Sequence, residues 1–193
     1  MEVNVYGGDF NLQEKDYQDV GEIIDIIEED GFVVTKIIAD EIDITYFSAE
    51  DLEKIKPIKK LDILTKEAKN LVLEGVSEAR KYLPKLIDGI EDIITAFSQG
   101  NEGEANNLLS QALEGFNWLN SLLSSLGVLD LKELDINSEN LIDNINDWQT
   151  YLEELMSAMQ NQDTILISDI LEYEIKPILQ KYLNLVVKID DRI

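Results

Sequence analysis

The chain has 193 residues, 45% of them hydrophobic, enough for one ordinary domain or two small ones with a real core, which excludes disorder as the main state. Sixteen Lys and Arg against forty Asp and Glu leave a formal charge of −24, which repels nucleic acid and anionic lipid, so direct binding to either is not expected. With no Cys and no His, the chain has no disulfides, no thiolate metal sites and no imidazole for acid–base work, which fits a reducing compartment. No apolar run approaches the roughly 18 residues of a membrane helix. The first residues lack the basic and apolar regions of a signal peptide, so a cytoplasmic protein is expected.

The first 65 residues read as a small α+β unit. Val3 and Val5 alternate with polar residues before Gly7 and Gly8, and Phe10 and Leu12 alternate after them, the pattern of a hairpin with one buried face. From Asp19 to Asp30, Val20, Ile23, Ile24 and Ile27 recur at helical spacing, closed by Gly31. Residues 32–39 are apolar and β-branched, Asp40 and Glu41 make a turn, and Ile42, Ile44 and Tyr46 alternate as a further strand. Ser48 caps a short helix through Ile55, and Leu61 and Ile63 belong to a last strand.

The remainder, residues 66–193, carries four seams of apolar residues at four-three spacing. They are Ala79, Leu83, Leu86, Ile90, Ile93, Phe97; Ala105, Leu109, Ala112, Phe116, Leu119, Leu123, Leu126; Leu141, Ile145, Trp148, Leu152, Leu155, Met159; and Leu171, Ile175, Ile178, Tyr182, Leu185, Ile189. Four such helices with short connections close their seams against one another, so an antiparallel four-helix bundle is predicted. The first helix runs from Lys66 to Gln99 with Pro84 inside it, where the missing N–H and the ring force a kink or a break. Asn101 and Glu104 resemble a capping box for the second helix, which ends at Gly127. An acidic link, residues 128–136, leads to a third helix capped by Asn137 or Ser138. Residues 160–163 turn the chain into the fourth, whose interior Pro177 interrupts.

Adding 62 to seam positions of the first hairpin lands on apolar residues of the second, as from Leu83 to Ile145 and from Phe116 to Ile178. Either an ancestral duplication or the shared geometry of two equal hairpins accounts for it.

Chemistry would fall to carboxylates. Asp169 and Glu172 lie one turn apart. Glu174 stands where the repeat register calls for an apolar residue, so either a carboxyl is buried there or the seam slips by one at Ile175. Di-iron bundles need a Glu-x-x-His motif, which is absent. The runs from Asp9 and Asp135 lack the Gly at the sixth and the Glu at the twelfth position of a calcium loop, and no phosphate loop occurs. No catalytic, metal or cofactor residues are assigned and no cofactor is expected.

Aromatic residues point to binding instead. Trp148 is in phase with its seam and reads as core. Trp118 sits at the edge of its helix among Gln111, Gly115, Ser121 and Ser125, where it anchors a partner or belongs to a wide stripe covered by the N-terminal unit. Tyr151 and Tyr173 lie off their seams and either line the same groove or flank the core.

The order of elements over residues 1–65 resembles the β-grasp, ubiquitin-like fold, a sheet wrapped over one helix. Modifiers of that fold act through a free C-terminal Gly-Gly, whereas Thr65 here runs into a helix, so the resemblance implies a docking platform. Residues 66–189 resemble the flagellin-export chaperones in helix lengths and in two turns, Gly100, Asn101, Glu104, Ala105, Asn106 and Asn161, Gln162, Asp163. That resemblance implies a bundle holding a partner's helix; the N-terminal unit has no counterpart in that family. The expected function is a non-enzymatic protein-interaction module, a chaperone or adaptor for an apolar helix or a basic segment of another protein, and the pattern leaves room for a homo-oligomer. The alternatives are a carboxylate or divalent-metal-dependent enzyme and an acidic nucleic-acid mimic that blocks a basic protein.

Overall fold

The computed structural model describes residues 1–8, 19–54, 57–134 and 136–192, and the chain divides into two compact units, Met1–Leu71 and Val72–Ile193. The fold is α+β: a four-stranded mixed sheet with its helix, then four long helices packed together.

In the first unit the elements are β1 (Glu2–Tyr6), α1 (Val20–Glu29), β2 (Phe32–Ala39), β3 (Ile42–Asp43), α2 (Ala49–Lys54) and β4 (Lys60–Glu67). The sheet order is β1-β4-β2-β3, with β1 parallel to β4 and the other pairs antiparallel. Asp19 starts α1 by accepting the Glu22 amide at 3.0 Å. The helix then presents Val20, Ile23 and Ile27 to Ile37, Ala39, Ile44, Leu61 and Ile63, which form the buried core of this unit. Gly7, at φ +104°, lets β1 close on β4: a Cβ there would lie 2.1 Å from the Thr65 carbonyl oxygen, and the buried Thr65 hydroxyl donates to Tyr6 O. The partner strand predicted at Phe10 and Leu12 lies outside the described residues, as does Ile55.

Asp40 and Glu41 both take positive φ, 45° and 72°, which gives the two-residue connection between β2 and β3 the twist a tight hairpin needs. The strand expected from Ile42 to Tyr46 stops after two residues. Asp43 accepts the Thr45 amide and hydroxyl, at 3.1 and 2.6 Å, turning the chain inward so that the Thr45 hydroxyl accepts from Ile37 N in place of a ladder carbonyl. Tyr46 is left 96% exposed. β4 outlasts Ile63, running to Glu67 against Phe32. A bulge between Val34 and Lys36 frees Thr35, whose hydroxyl donates to Leu64 O.

The second unit is built from α3 (Ala68–Ser98), which begins in the first unit's last residues, then α4 (Glu102–Ser125), α5 (Ser138–Gln160), α6 (Thr164–Ile170) and α7 (Lys176–Asp190). The helix predicted from Lys66 starts two residues later because Lys66 and Glu67 still pair with β2. α3 is continuous through Pro84, which is exposed, so there is no break. The Asn101 side chain caps nothing and donates instead to Gln99 Oε1, so the capping box expected at Asn101 and Glu104 does not form, and Gly100 at φ +75° turns the chain. α4 runs out through a short 3₁₀ turn, Leu126–Val128. Asn137 caps α5 by accepting from Glu139 N and Asn140 N, and Asp163 caps α6 by accepting from Leu166 N.

α6 and α7 form one rod joined by a π turn, Leu171–Ile175. Pro177 follows it directly, in the first turn of α7, where a missing N–H costs least. Across the π turn Leu171 and Ile175 are fully buried and Glu174 is half-buried, neither sealed in the core nor left in water as the two sequence alternatives had it.

The six seam residues on α4, and Leu126 in the 3₁₀ turn after it, are buried, as are those of α3 except the half-buried Phe97. Among the described residues of α5, Leu141, Trp148, Leu155 and Ala158 are buried. At the centre Trp148, fully buried, meets Phe116 edge to face at 5.3 Å and Tyr182 at 5.9 Å. Tyr182 donates to Asn144 O at 2.7 Å, and burial pushes its phenol well above the usual range. Among the described residues the Trp148 Nε1–H has no hydrogen-bond partner.

Candidate functional site

Trp118 and Tyr82 define a groove along the α3–α4 edge. Tyr82 and Gly115 each precede a buried seam residue, Leu83 and Phe116, so both helices turn these positions toward the same edge. At Gly115 a Cβ would sit 2.3 Å from Tyr82 Oη, so the missing side chain is what lets the phenol lie against the backbone of α4. One turn on, Trp118 meets Tyr82 edge to face, centroids 5.6 Å apart and planes at 82°. Both rings are half-buried and pack on the bundle core.

The two rings wall a cleft of about 320 Å³ whose other lining residues are Glu78, Glu114 and Gly115. Glu78 lies one turn before Tyr82, and Glu114 one turn before Trp118, so a carboxylate from each helix stands at the rim. Among the described residues neither has an ion pair or a hydrogen-bond partner. Beyond Tyr82 the groove continues as a smaller cleft of about 160 Å³ lined by Lys85, Leu86, Gly89 and Ile93 from α3 and Leu108, Gln111 and Ala112 from α4. Tyr82 is the wall between the two, with carboxylates on one side and Lys85 on the other. Such an arrangement can bind an apolar or cationic group.

The three aromatic residues singled out from the sequence do not share this groove. Tyr151, on α5, is half-buried; burial first, and then the Glu174 carboxylate of the π turn, raise its phenol above the ordinary value. Tyr173 is 63% exposed in the same turn. Only Trp118 lines the cleft. Sequence reasoning missed Tyr82, and the signal was present: Tyr82, Gly115 and Trp118 fall on one edge once the seams of α3 and α4 face each other. Asp169 and Glu172 are both exposed. Among the described residues no three carboxylates gather closely enough to hold a metal ion, and no helix is long and apolar enough to cross a membrane.

No curated protein and no solved structure matches the chain. A family model described as a domain of unknown function, DUF8042, matches residues 74–185, from the second turn of α3 into α7. With more than half of its length covered by that model, all of it in the helical region that holds the groove, the chain belongs to the DUF8042 family.

Proposed function

We propose that this protein is a non-enzymatic interaction module, an adaptor or chaperone that docks an apolar, base-bearing helical segment of another protein along the α3–α4 groove. One observation carries the reading: a half-buried Trp, fixed by a Tyr that a glycine admits, opens on an apolar cleft with two carboxylates at its rim that have no partner among the described residues. Trp anchors in pockets of this kind supply a large share of binding energy at protein interfaces. A groove between two helices suits a third helix laid along it. The surrounding charge of −24 steers a basic segment toward the site and disfavours acidic competitors.

The same reading takes the first unit as a β-grasp-like docking platform, supported by its β1-β4-β2-β3 order with β1 parallel to β4. It takes the bundle as a holder of a partner's helix, in the manner of the export chaperones that its helix lengths and turns resemble.

The test is affinity capture with the full chain, wild type and Trp118→Ala, across a salt series. A stoichiometric protein that stays bound as salt rises and is lost on Trp118→Ala is the expected result. Capture that collapses with salt and ignores Trp118 would overturn the groove in favour of an acidic decoy surface. Turnover of a substrate dependent on the carboxylates would overturn the non-enzymatic reading.

A further inference from the structure

We infer that the Tyr82–Trp118 corner is built to seat an arginine side chain of the docked segment. This inference rests on the docking reading above and names the chemistry of its anchor. Tyr82 and Trp118 are fixed edge to face, planes at 82° and centroids 5.6 Å apart, and both wall the cleft, so a cation entering it is met by a held, electron-rich ring face. A guanidinium is planar and weakly hydrated, so it stacks on an aromatic face without giving up its in-plane donors. Those donors then reach outward to carboxylates, and Glu78 and Glu114 stand at the rim of this cleft, one from each helix.

An ammonium is a compact point charge that loses more hydration on entering an apolar cleft, which favours arginine over lysine here. The sign of the site is local. Lys85, in the neighbouring cleft across Tyr82, repels a cation from that compartment and confines it to the end with the two carboxylates. The cleft of about 320 Å³ is otherwise apolar in its walls, which suits the methylene stem behind the charged head.

The chain supplies its own control for the test, because it has two tryptophans, one in the cleft and one sealed in the core. The indole N–H signals of the full chain, labelled at tryptophan, are followed by NMR during titration with N-acetyl-arginine amide, N-acetyl-lysine amide and the neutral isostere N-acetyl-citrulline amide. A saturable movement of the Trp118 signal with the arginine derivative is expected, about tenfold weaker with citrulline, with Trp148 unmoved throughout. The Glu78→Gln, Glu114→Gln double variant changes two exposed positions and is expected to lose that response while Trp148 reports an intact fold. An equal response to citrulline, or an arginine response that survives the double variant, would overturn the inference. A captured partner that needs Trp118 while the arginine derivative leaves Trp118 unmoved would overturn the arginine anchor and spare the docking groove. Arginine binding with no captured partner would overturn docking of a protein and leave a cation site.

Discussion

Arg80 reaches from α3 to the end of α7, where its Nη1 donates to Asp190 Oδ2 at 2.7 Å. The same nitrogen donates to Asp191 Oδ1 at 2.7 Å. Two carboxylates at a helix C-terminus oppose the helix dipole, and the guanidinium between them removes that repulsion. A second cross-tie, Lys176 to Glu91, joins the same two helices near the other end of α7 and shows that they run antiparallel. Arg80→Ala should therefore lower the thermal midpoint and speed amide exchange in the last turn of α7. Adding Asp190→Asn and Asp191→Asn to that variant should restore much of the protection, because the repulsion goes with the charges. No rescue in the triple variant would show that Arg80 acts through its stem and not its charge.

The central Trp148 separates volume from polarity. Trp148→Ala should cost about 3–5 kcal/mol in denaturant unfolding, the usual range for emptying a large aromatic from a core. Trp148→Phe should cost clearly less, since it keeps a ring against Phe116 and Tyr182 and removes an indole N–H that has no partner among the described residues. Equal costs for the two variants would mean that the ring's full width is what the core requires.

The two helix prolines should respond to alanine in different ways. Pro84 is exposed inside a continuous helix, so Pro84→Ala restores a donor and relieves the ring, and a gain in stability of up to about 3 kcal/mol is expected. Pro177 follows the π turn, and Pro177→Ala permits that turn to relax into regular helix, rotating Glu174 away from Tyr151. The expected sign is a Tyr151 phenol whose ionisation moves down toward its ordinary value, read by NMR of labelled tyrosine. An unchanged Tyr151 titration would show that neighbouring helices hold the π turn without the proline.

Acid should weaken the first unit before the bundle's core is affected. Asp40 accepts the amides of Lys59 and Lys60, at 3.0 and 2.8 Å, and these bonds hold its carboxyl below the usual carboxylate range; Asp43, Asp51 and Asp62 are lowered too. A carboxyl with a lower pKa folded than unfolded stabilises fully above its unfolded value, near 4, and loses that contribution as pH falls through the folded one. Amide exchange at β2 and β4 should therefore accelerate as pH drops below about 4, after correction for intrinsic rates. Asp40→Asn keeps a residue suited to φ +45° and should flatten part of that dependence. A pH response identical in the variant would remove Asp40 from the account.

Gly115→Ala isolates the groove. Alanine gains about 1 kcal/mol of helix propensity over glycine, which offsets the displacement of Tyr82 by a methyl 2.3 Å from its hydroxyl oxygen. Overall stability should change little while the Trp118 indole signal shifts, because its ring partner has moved. A Trp118 signal that stays in place would show that Tyr82 does not set the corner.

The α+β class and most of the helices were legible in the amino-acid order because periodicity is a local property. Val20, Ile23 and Ile27, or Leu109, Phe116 and Leu123, mark a buried face whatever lies opposite, and Asp19, Asn137 and Asp163 mark helix starts through bonds reaching two or three residues on. What depends on residues far apart in the chain was decided only when faces met. Val3 lies beside Leu61 in a parallel pair, Gly115 admits Tyr82, and the four-three count over Leu171 to Ile178 is carried by a π turn that no local pattern distinguishes from a slip. The groove belongs to this second kind. Trp118 stood out by itself as an edge residue, but its corner exists because two helices bring a phenol, a glycine and an indole within one ring's width of each other, and only packing sets that distance.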